Sequence, residues 1–141
     1  MSTTVSVQLT NEQMARLQQE AQRLGKTPED AIARLVEESL REREFPGIEY
    51  RDVGDGREAF LKGTRLQVWH LRWYTDFNDD DIPKMASEFN VPPEIVADAF
   101  AYGQRYADEI EASLAENRHI ADNIEQYFPG VRIVEIDASD S

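Results

Sequence analysis

The sequence predicts a mainly α-helical protein with short β strands: a strand and two helices, then a helix-turn-helix-like domain with a small sheet. Three observations lead to this fold class. The first residues alternate polar and apolar with period two, two capped amphipathic helices follow, and a second pair of helices comes after short apolar segments separated by glycine turns. An apolar content of 40% is enough to form a packed core.

The N-terminal strand is predicted over residues 3–9, where polar and apolar residues alternate. Its apolar positions are Val5, Val7 and Leu9. Thr10 and Gln13 form a capping box, so a helix should begin directly after Thr10. The apolar stripe of this helix is Met14, Leu17, Ala21 and Leu24. Gly25 stands where a helix usually ends.

A second helix is predicted to begin at Thr27, because Thr27 is a good cap and Pro28 suits the first helical position. Its apolar stripe is Ala31, Ile32, Leu35, Val36 and Leu40. A Phe-Pro-Gly sequence then breaks the pattern. We therefore expect three segments, which are residues 1–44, 45–118 and 119–141.

The second segment begins with short strands and turns over residues 48–68. We predict a helix over residues 68–77, a helix capped by the acidic run 78–81, and a long helix from the Pro-Pro pair at residue 92 to about residue 117. The last two helices, with the short turn between them, have a helix-turn-helix shape. Residues 131–136 are predicted to form a closing strand.

The N-terminal strand has no pairing partner nearby in the sequence, and a lone strand leaves its backbone hydrogen bonds unsatisfied. The simplest solution is a homodimer in which two copies of the strand pair around a two-fold axis. Residues 4–10, 24–27 and 31–36 resemble the ribbon-helix-helix family of bacterial repressors and antitoxins. This resemblance implies an intermolecular ribbon-helix-helix dimer.

The resemblance also implies a DNA-binding site. Its residues would be Thr4, Ser6 and Gln8, which would contact bases in the major groove, and Lys26 with the amides near Thr27, which would hold a phosphate. The three base-contacting residues carry no positive charge, so they contribute nothing to counterion release. The alternative that the ribbon only dimerises therefore stays open.

A second resemblance covers roughly residues 55–118. The matching stretches are residues 56–68, 79–89, 91–95, 99–102 and 108–110, which are similar to domain-of-unknown-function family 433. Members of that family look like VapB-type antitoxins, which are encoded beside PIN-like ribonuclease toxins. The first residues of the second helix in this helix-turn-helix, residues 92–98, include the acidic Glu94 and Asp98 and no basic residue. DNA phosphates would repel such an end, so we expect this helix to pack against the protein and not to bind DNA.

The net charge of −13 is unevenly spread: the balance is −2 over residues 1–44, −5 over 45–100 and −6 over 101–141. An acidic C-terminal half favours a basic partner, although acidity also serves solubility alone. The apolar residues expected to bind this partner are Ile120, Ile124, Tyr127 and Phe128. The alternative is that this stripe folds back on the core.

The sequence gives little support to catalysis. The chain has no cysteine, no nucleophile motif and no phosphate-binding glycine loop. We interpret His70 as a packed or surface residue, the acidic run 79–81 as a helix cap, and Trp69, Trp73 and Tyr74 as core. We expect a non-enzymatic, cytoplasmic protein with no cofactor, no metal site and no membrane contact.

These features together predict the antitoxin and transcriptional autorepressor of a toxin–antitoxin pair. The ribbon of the homodimer would bind operator DNA, and the acidic C-terminal half would bind a PIN-like ribonuclease toxin. Two alternatives remain, namely a plain dimeric DNA-binding regulator without a toxin and a dimeric adaptor that binds only protein.

Overall fold

A computed structural model describes residues 2–54 and 56–122 of the chain. Helices make up 62% of the structure, and the predicted mainly α fold class with short β strands is confirmed. In chain order the elements are α1 (Asn11–Leu24), α2 (Pro28–Glu44), β1 (Ile48–Val53), β2 (Gly56–Leu61), α3 (Val68–Arg72), α4 (Ile82–Phe89), α5 (Pro93–Arg105) and α6 (Ala107–Asp122).

The ends of α1 and α2 confirm the predicted caps. The Thr10 hydroxyl accepts the backbone N–H of Gln13 (3.1 Å), while the Gln13 side chain accepts the backbone N–H of Thr10 (2.9 Å). Gly25 ends α1 in the left-handed conformation (φ 66°) that glycine adopts without steric cost. Thr27 caps α2 in turn, because its hydroxyl accepts the backbone N–H of Asp30 (3.2 Å).

Strands β1 and β2 form an antiparallel hairpin, which confirms the predicted small sheet. The hairpin contacts α5 at Gly47, the residue directly before β1. There the backbone N–H of Gly47 donates to the Asp98 carboxylate (2.6 Å). A β-carbon at Gly47 would lie 3.0 Å from the α-carbon of Ile95, so only glycine allows this close approach.

The main core lies between the hairpin and helices α3 to α6. Its most enclosed large side chains are Tyr102, Phe100, Ile48, Leu61, Leu71, Met85, Val68 and Val96. Helices α1 and α2 share a separate cluster of only three buried side chains, Leu17, Ala21 and Ala31. The N-terminal helix pair therefore has very little core of its own.

The prediction of one helix over residues 68–77 is wrong, because α3 ends at Arg72. The chain turns where Phe77 adopts a left-handed conformation (φ 62°), in which an α-helix cannot continue. The Thr75 hydroxyl accepts the backbone N–H of Phe77 (3.0 Å) and stabilises the turn. The apolar pattern continued through this turn, so periodicity alone did not indicate it.

The prediction of one long helix over residues 92–117 is also wrong. The chain leaves helical geometry at Tyr106 (φ −115°, ψ 41°), which separates α5 from α6. Tertiary contact holds the break, since the guanidinium of Arg41 lies 3.8 Å above the centre of the Tyr106 ring. After the break, α6 buries Ile110 and Leu114 in the main core.

Two predicted strands have different outcomes. Residues 3–9 belong to no helix or strand in a single copy of the chain. The closing strand predicted over residues 131–136 lies outside the described residues. Among the helices that the structure describes, none is both long enough and apolar enough to cross a membrane.

Candidate dimer and nucleic-acid interface

The N-terminal segment, residues 2–10, is exposed along its whole length. Val5 and Val7 are 76% and 72% exposed, although burying such a side chain stabilises a protein by about 1.5–3 kcal/mol. Within the described residues the sheet consists of β1 and β2 alone, so no described strand of the same copy pairs with this segment. It therefore offers apolar side chains and unpaired backbone groups to another molecule.

Exposed apolar side chains continue from this segment onto α1 and α2. We call this set the N-terminal apolar face, and its members are Val5, Val7, Leu9, Met14, Ile32, Leu35, Val36 and Leu40. They are eight of the 11 large apolar side chains that are exposed in the described part of the chain. An apolar surface this concentrated marks an interaction site, since single exposed apolar residues are otherwise scattered.

A shallow groove of about 570 Å³ on the surface of α1 adjoins this face. Leu17 and Leu35 form its apolar part, and Arg16, Glu20 and Arg23 stand along it. A helix pair with three buried side chains lacks the core that a small domain needs. The face and the groove therefore provide apolar surface that a partner can bury.

The five residues predicted to bind DNA are all exposed: Thr4, Ser6, Gln8, Lys26 and Thr27. The first three lie on the N-terminal segment, and the other two form the junction between α1 and α2. At this junction the backbone N–H of Lys26 donates to the Ala21 carbonyl (2.8 Å) and completes the end of α1. The first turn of α2 carries Glu29 and Asp30, which offset the helix dipole that a phosphate would use.

An ion-pair network joins α1, α2 and the hairpin. The carboxylate of Glu38, which is only 5% exposed, accepts from Arg34 (2.8 Å) and Arg57 (2.7 Å). Arg57 also donates to Asp52 (3.1 Å), which in turn binds Arg23 of α1 (2.9 Å). The hydrogen bonds to Glu38 raise the pKa of Arg57 above its usual range. This network fixes the inner side of α2 and leaves its apolar side outward.

A second polar cluster centres on the guanidinium of Arg41. It donates to Glu37 (2.7 Å), to the hydroxyls of Tyr50 (3.2 Å) and Tyr102 (3.0 Å), and to Glu109 (3.0 Å). Burial raises the pKa of both tyrosines. Sequence reasoning missed this cluster, because Tyr102 and Glu109 lie 61 and 68 positions from Arg41 and no local pattern connects them.

A small cavity of about 160 Å³ lies between the hairpin and α6. Glu58 and Trp69 are part of its lining. Burial raises the pKa of Glu58, and the nearby charge of Glu109 raises it further. The cavity is well below the roughly 300 Å³ at which pockets for small-molecule ligands begin, so we assign no ligand to it.

The helix-turn-helix pair consists of α4 and α5, which pack against each other. The residues of α5 that face the core are Val96, Ala99, Phe100, Tyr102 and Gly103. The exposed first turn of α5 carries Glu94 and has no basic side chain. This arrangement agrees with the expectation that α5 packs in the core.

The candidate metal and catalytic residues have structural roles. The Nδ1 atom of His70 accepts the backbone N–H of Gln67 (3.0 Å), and burial lowers the pKa of His70. The carboxylate of Asp81 accepts from the Thr75 hydroxyl (2.8 Å). Among the described residues, no group of three or more His, Asp or Glu side chains is arranged to hold a metal ion.

The aromatic residues after α3 differ from the prediction that all three are core. Trp69 is buried (8% exposed), but Trp73 and Tyr74 are 43% and 59% exposed. The core interpretation is therefore wrong for Trp73 and Tyr74. The helix ends at Arg72, so helical periodicity no longer directs the following side chains inward.

The stripe predicted to bind a partner falls largely beyond these elements. Ile120 lies on α6, whereas Ile124, Tyr127 and Phe128 lie outside the described residues. No family model, no curated protein and no solved structure matches this sequence. The function is therefore inferred from the residues and their geometry.

Proposed function

We propose that this chain is a homodimeric, operator-binding regulator that acts as the antitoxin of a toxin–antitoxin pair. The observation that carries the proposal is the N-terminal apolar face, whose eight side chains between Val5 and Leu40 are exposed in a single copy. It stands on a segment whose polar and apolar residues alternate and which has no strand partner among the described residues.

A second copy is the occupant that suits this face best. Two antiparallel copies of residues 3–9 would satisfy each other's backbone and bring Val5, Val7 and Leu9 of both chains together. Burial of the apolar side chains that make up this face would stabilise such a dimer.

Pairing of this kind also supports DNA binding by the ribbon. If the apolar side of each strand is buried in the dimer, Thr4, Ser6 and Gln8 project from the opposite side. Hydroxyl and amide groups form hydrogen bonds with base edges, so this side suits the major groove. Because it carries no positive charge, we expect operator binding to depend only weakly on salt.

The antitoxin role depends on charge. The C-terminal residues 101–141 hold nine acidic and three basic residues, which suits a partner with a basic, RNA-binding surface such as a PIN-like nuclease. A plain regulator without a toxin is the alternative. The neighbouring genes distinguish the two. A locus without a PIN-like nuclease gene would contradict the antitoxin role but would not contradict the proposal of DNA binding.

A gel-shift titration with the DNA upstream of the gene tests operator binding. We expect the full chain to bind this DNA more tightly than scrambled DNA. Replacing Thr4, Ser6 and Gln8 by alanine removes the base contacts, each worth about 1–3 kcal/mol, so the preference for the upstream DNA should disappear.

A matched control replaces Gln18 and Gln22 by alanine. These two residues of α1 are exposed and polar, they do not line the groove, and their replacement changes neither the net charge nor the N-terminal segment. The control should bind the upstream DNA as the unmodified chain does. If the Thr4, Ser6 and Gln8 variant also binds normally, the ribbon only dimerises and DNA binding by this segment is wrong.

A further inference from the structure

A second exposed apolar surface lies on the loop that follows α3, which we call the aromatic loop (residues 73–78). Trp73 packs edge-on against Trp69, with ring centres 5.3 Å apart, and is 43% exposed. Tyr74 packs in the same way against Phe89 of α4 (5.4 Å) and is 59% exposed. Each ring therefore contacts another aromatic ring of the fold and is also exposed to solvent.

The rest of the fold holds the aromatic loop in one conformation. Phe77 is buried and left-handed (φ 62°), a backbone state that is unfavourable for a non-glycine residue. The side chain of Gln104 donates to the Phe77 carbonyl (2.5 Å). A β-carbon at Gly103 would lie 2.5 Å from the Phe77 ring, so glycine there makes room for it.

Such strain persists only where surrounding contacts enforce it, and it concentrates at binding and catalytic sites. Here the enforced turn does not bury the two aromatic rings beside it. Trp73 and Tyr74 lie at the surface before this turn, and each packs against one ring of the fold. Exposed aromatic rings are typical anchors of protein interfaces, because they bury much area at little entropic cost.

The charge around the aromatic loop is negative. Residues 72–89 contain five acidic and two basic residues. One of the basic residues, Arg72, is already bound between Asp76 (2.7 Å) and Glu111 (2.5 Å). The carboxylates of Asp79 and Asp80 are exposed on the adjoining 3-10 turn. This surface therefore presents two exposed aromatic rings in a segment that has more carboxylates than basic groups.

We propose that the aromatic loop binds an arginine- or lysine-bearing segment of a protein partner. Guanidinium and ammonium groups stack on the faces of Trp and Tyr rings, and the surrounding carboxylates pair with the same cations. The proposal deepens the partner-binding half of the proposed function and rests on it for the existence of a protein partner. It does not depend on DNA binding.

Charge argues against the other occupants of this surface. A nucleic acid would bring phosphates to the exposed carboxylates of Asp79 and Asp80. The chain's own residues 123–141 contain four acidic residues and one basic residue, so they would meet like charge as well. A basic segment of another protein is the occupant whose charge is complementary.

The probe is a fluorescent ten-residue peptide of alternating arginine and glycine, titrated with the full chain in an anisotropy assay at physiological salt. We expect the unmodified chain to bind it. The double variant Trp73→Ala and Tyr74→Ala keeps the net charge but removes both rings. Two lost cation–π contacts should weaken binding by about tenfold.

Val53→Ala is the matched control, because Val53 is similarly exposed (41%) at the end of β1, and it should bind as the unmodified chain does. Equal binding by the double variant and the unmodified chain would overturn the proposal, since charge alone would then hold the peptide. Failure of the unmodified chain to bind the peptide would also overturn it. Circular dichroism confirms that the double variant is folded.

Operator binding of the double variant separates this inference from the proposed function. We expect it to equal that of the unmodified chain, because the aromatic loop lies outside the N-terminal segment. If the unmodified chain fails to bind its upstream DNA but binds the peptide through the two rings, the operator proposal is wrong and the aromatic loop stands.

Discussion

Single half-buried polar residues connect distant parts of this chain. Arg41 is the best example, because its guanidinium joins α2 to β1, α5 and α6 through Tyr50, Tyr102 and Glu109. The buried hydroxyls of Tyr50 and Tyr102 each accept a hydrogen bond from it, and losing such a bond at a buried site is costly. Arg41 therefore holds α2 on the second half of the chain together with the ion pair between Glu38 and Arg57.

Replacing Arg41 by methionine tests this role. Methionine keeps the apolar stem but removes every donor, so the buried tyrosine hydroxyls lose a partner. We expect the free energy of unfolding to fall by about 2 kcal/mol in urea denaturation. Arg43→Met makes the same change of charge at an exposed position of the same helix and should cost less than about 0.5 kcal/mol. Equal losses would contradict the role of Arg41.

Among the helices and strands, those whose ends are marked by local sequence signals were predicted correctly. The bounds of α1 and α2 followed from Thr10, Gly25 and Thr27, whose side chains or backbone freedom act on their own neighbours. The hairpin followed in the same way from its glycine turn. The predicted cap of α4 is wrong, because neither Asn78 nor Asp81 forms a side-chain capping hydrogen bond and residues 79–81 form a 3-10 turn. These signals act within a few residues of each other and need no tertiary structure.

The two helix ends that were predicted wrongly depend on distant contacts. Beyond the end of α3 at Arg72, the left-handed Phe77 packs against Gly103, and α5 ends before Tyr106, whose ring lies under the guanidinium of Arg41. Neither end is marked by glycine or proline at the break. The candidate sites differ in the same way. The apolar residues of the N-terminal face follow a local periodicity and were predicted, whereas the exposure of Trp73 and the cluster around Arg41 depend on distant contacts and were not predicted.

In the proposed dimer, the interface depends most on the outward side of α2. Val36 is 52% exposed in one copy, so a charge there costs a monomer almost nothing. In a dimer the same charge would be buried without a partner. We therefore expect Val36→Glu to yield a folded monomer in light scattering.

Val53→Glu is the control, because Val53 is comparably exposed (41%) but lies on β1, outside the N-terminal apolar face. This variant should keep the oligomeric state of the unmodified chain. A dimeric Val36→Glu variant would remove α2 from the interface.

In the whole molecule, the two sides of α2 differ in character, since one is charged and the other is apolar. Its inner side carries Arg34, Glu38 and Arg41, which bind the hairpin and the core, and its outer side carries apolar residues that no described part of the chain covers. A dimer formed through the outer side would hold two acidic second halves at fixed positions relative to the ribbon. DNA and a basic protein partner would then meet separate surfaces.

The central claim is that a second copy covers the N-terminal apolar face, and the molar mass of the unmodified chain in solution tests it most directly. Multi-angle light scattering at micromolar concentration and physiological salt should give twice the 16.2 kDa of one chain. The mass should stay at this value on moderate dilution, since an interface of this apolar character does not dissociate readily. A mass of 16.2 kDa across the micromolar range would contradict the account.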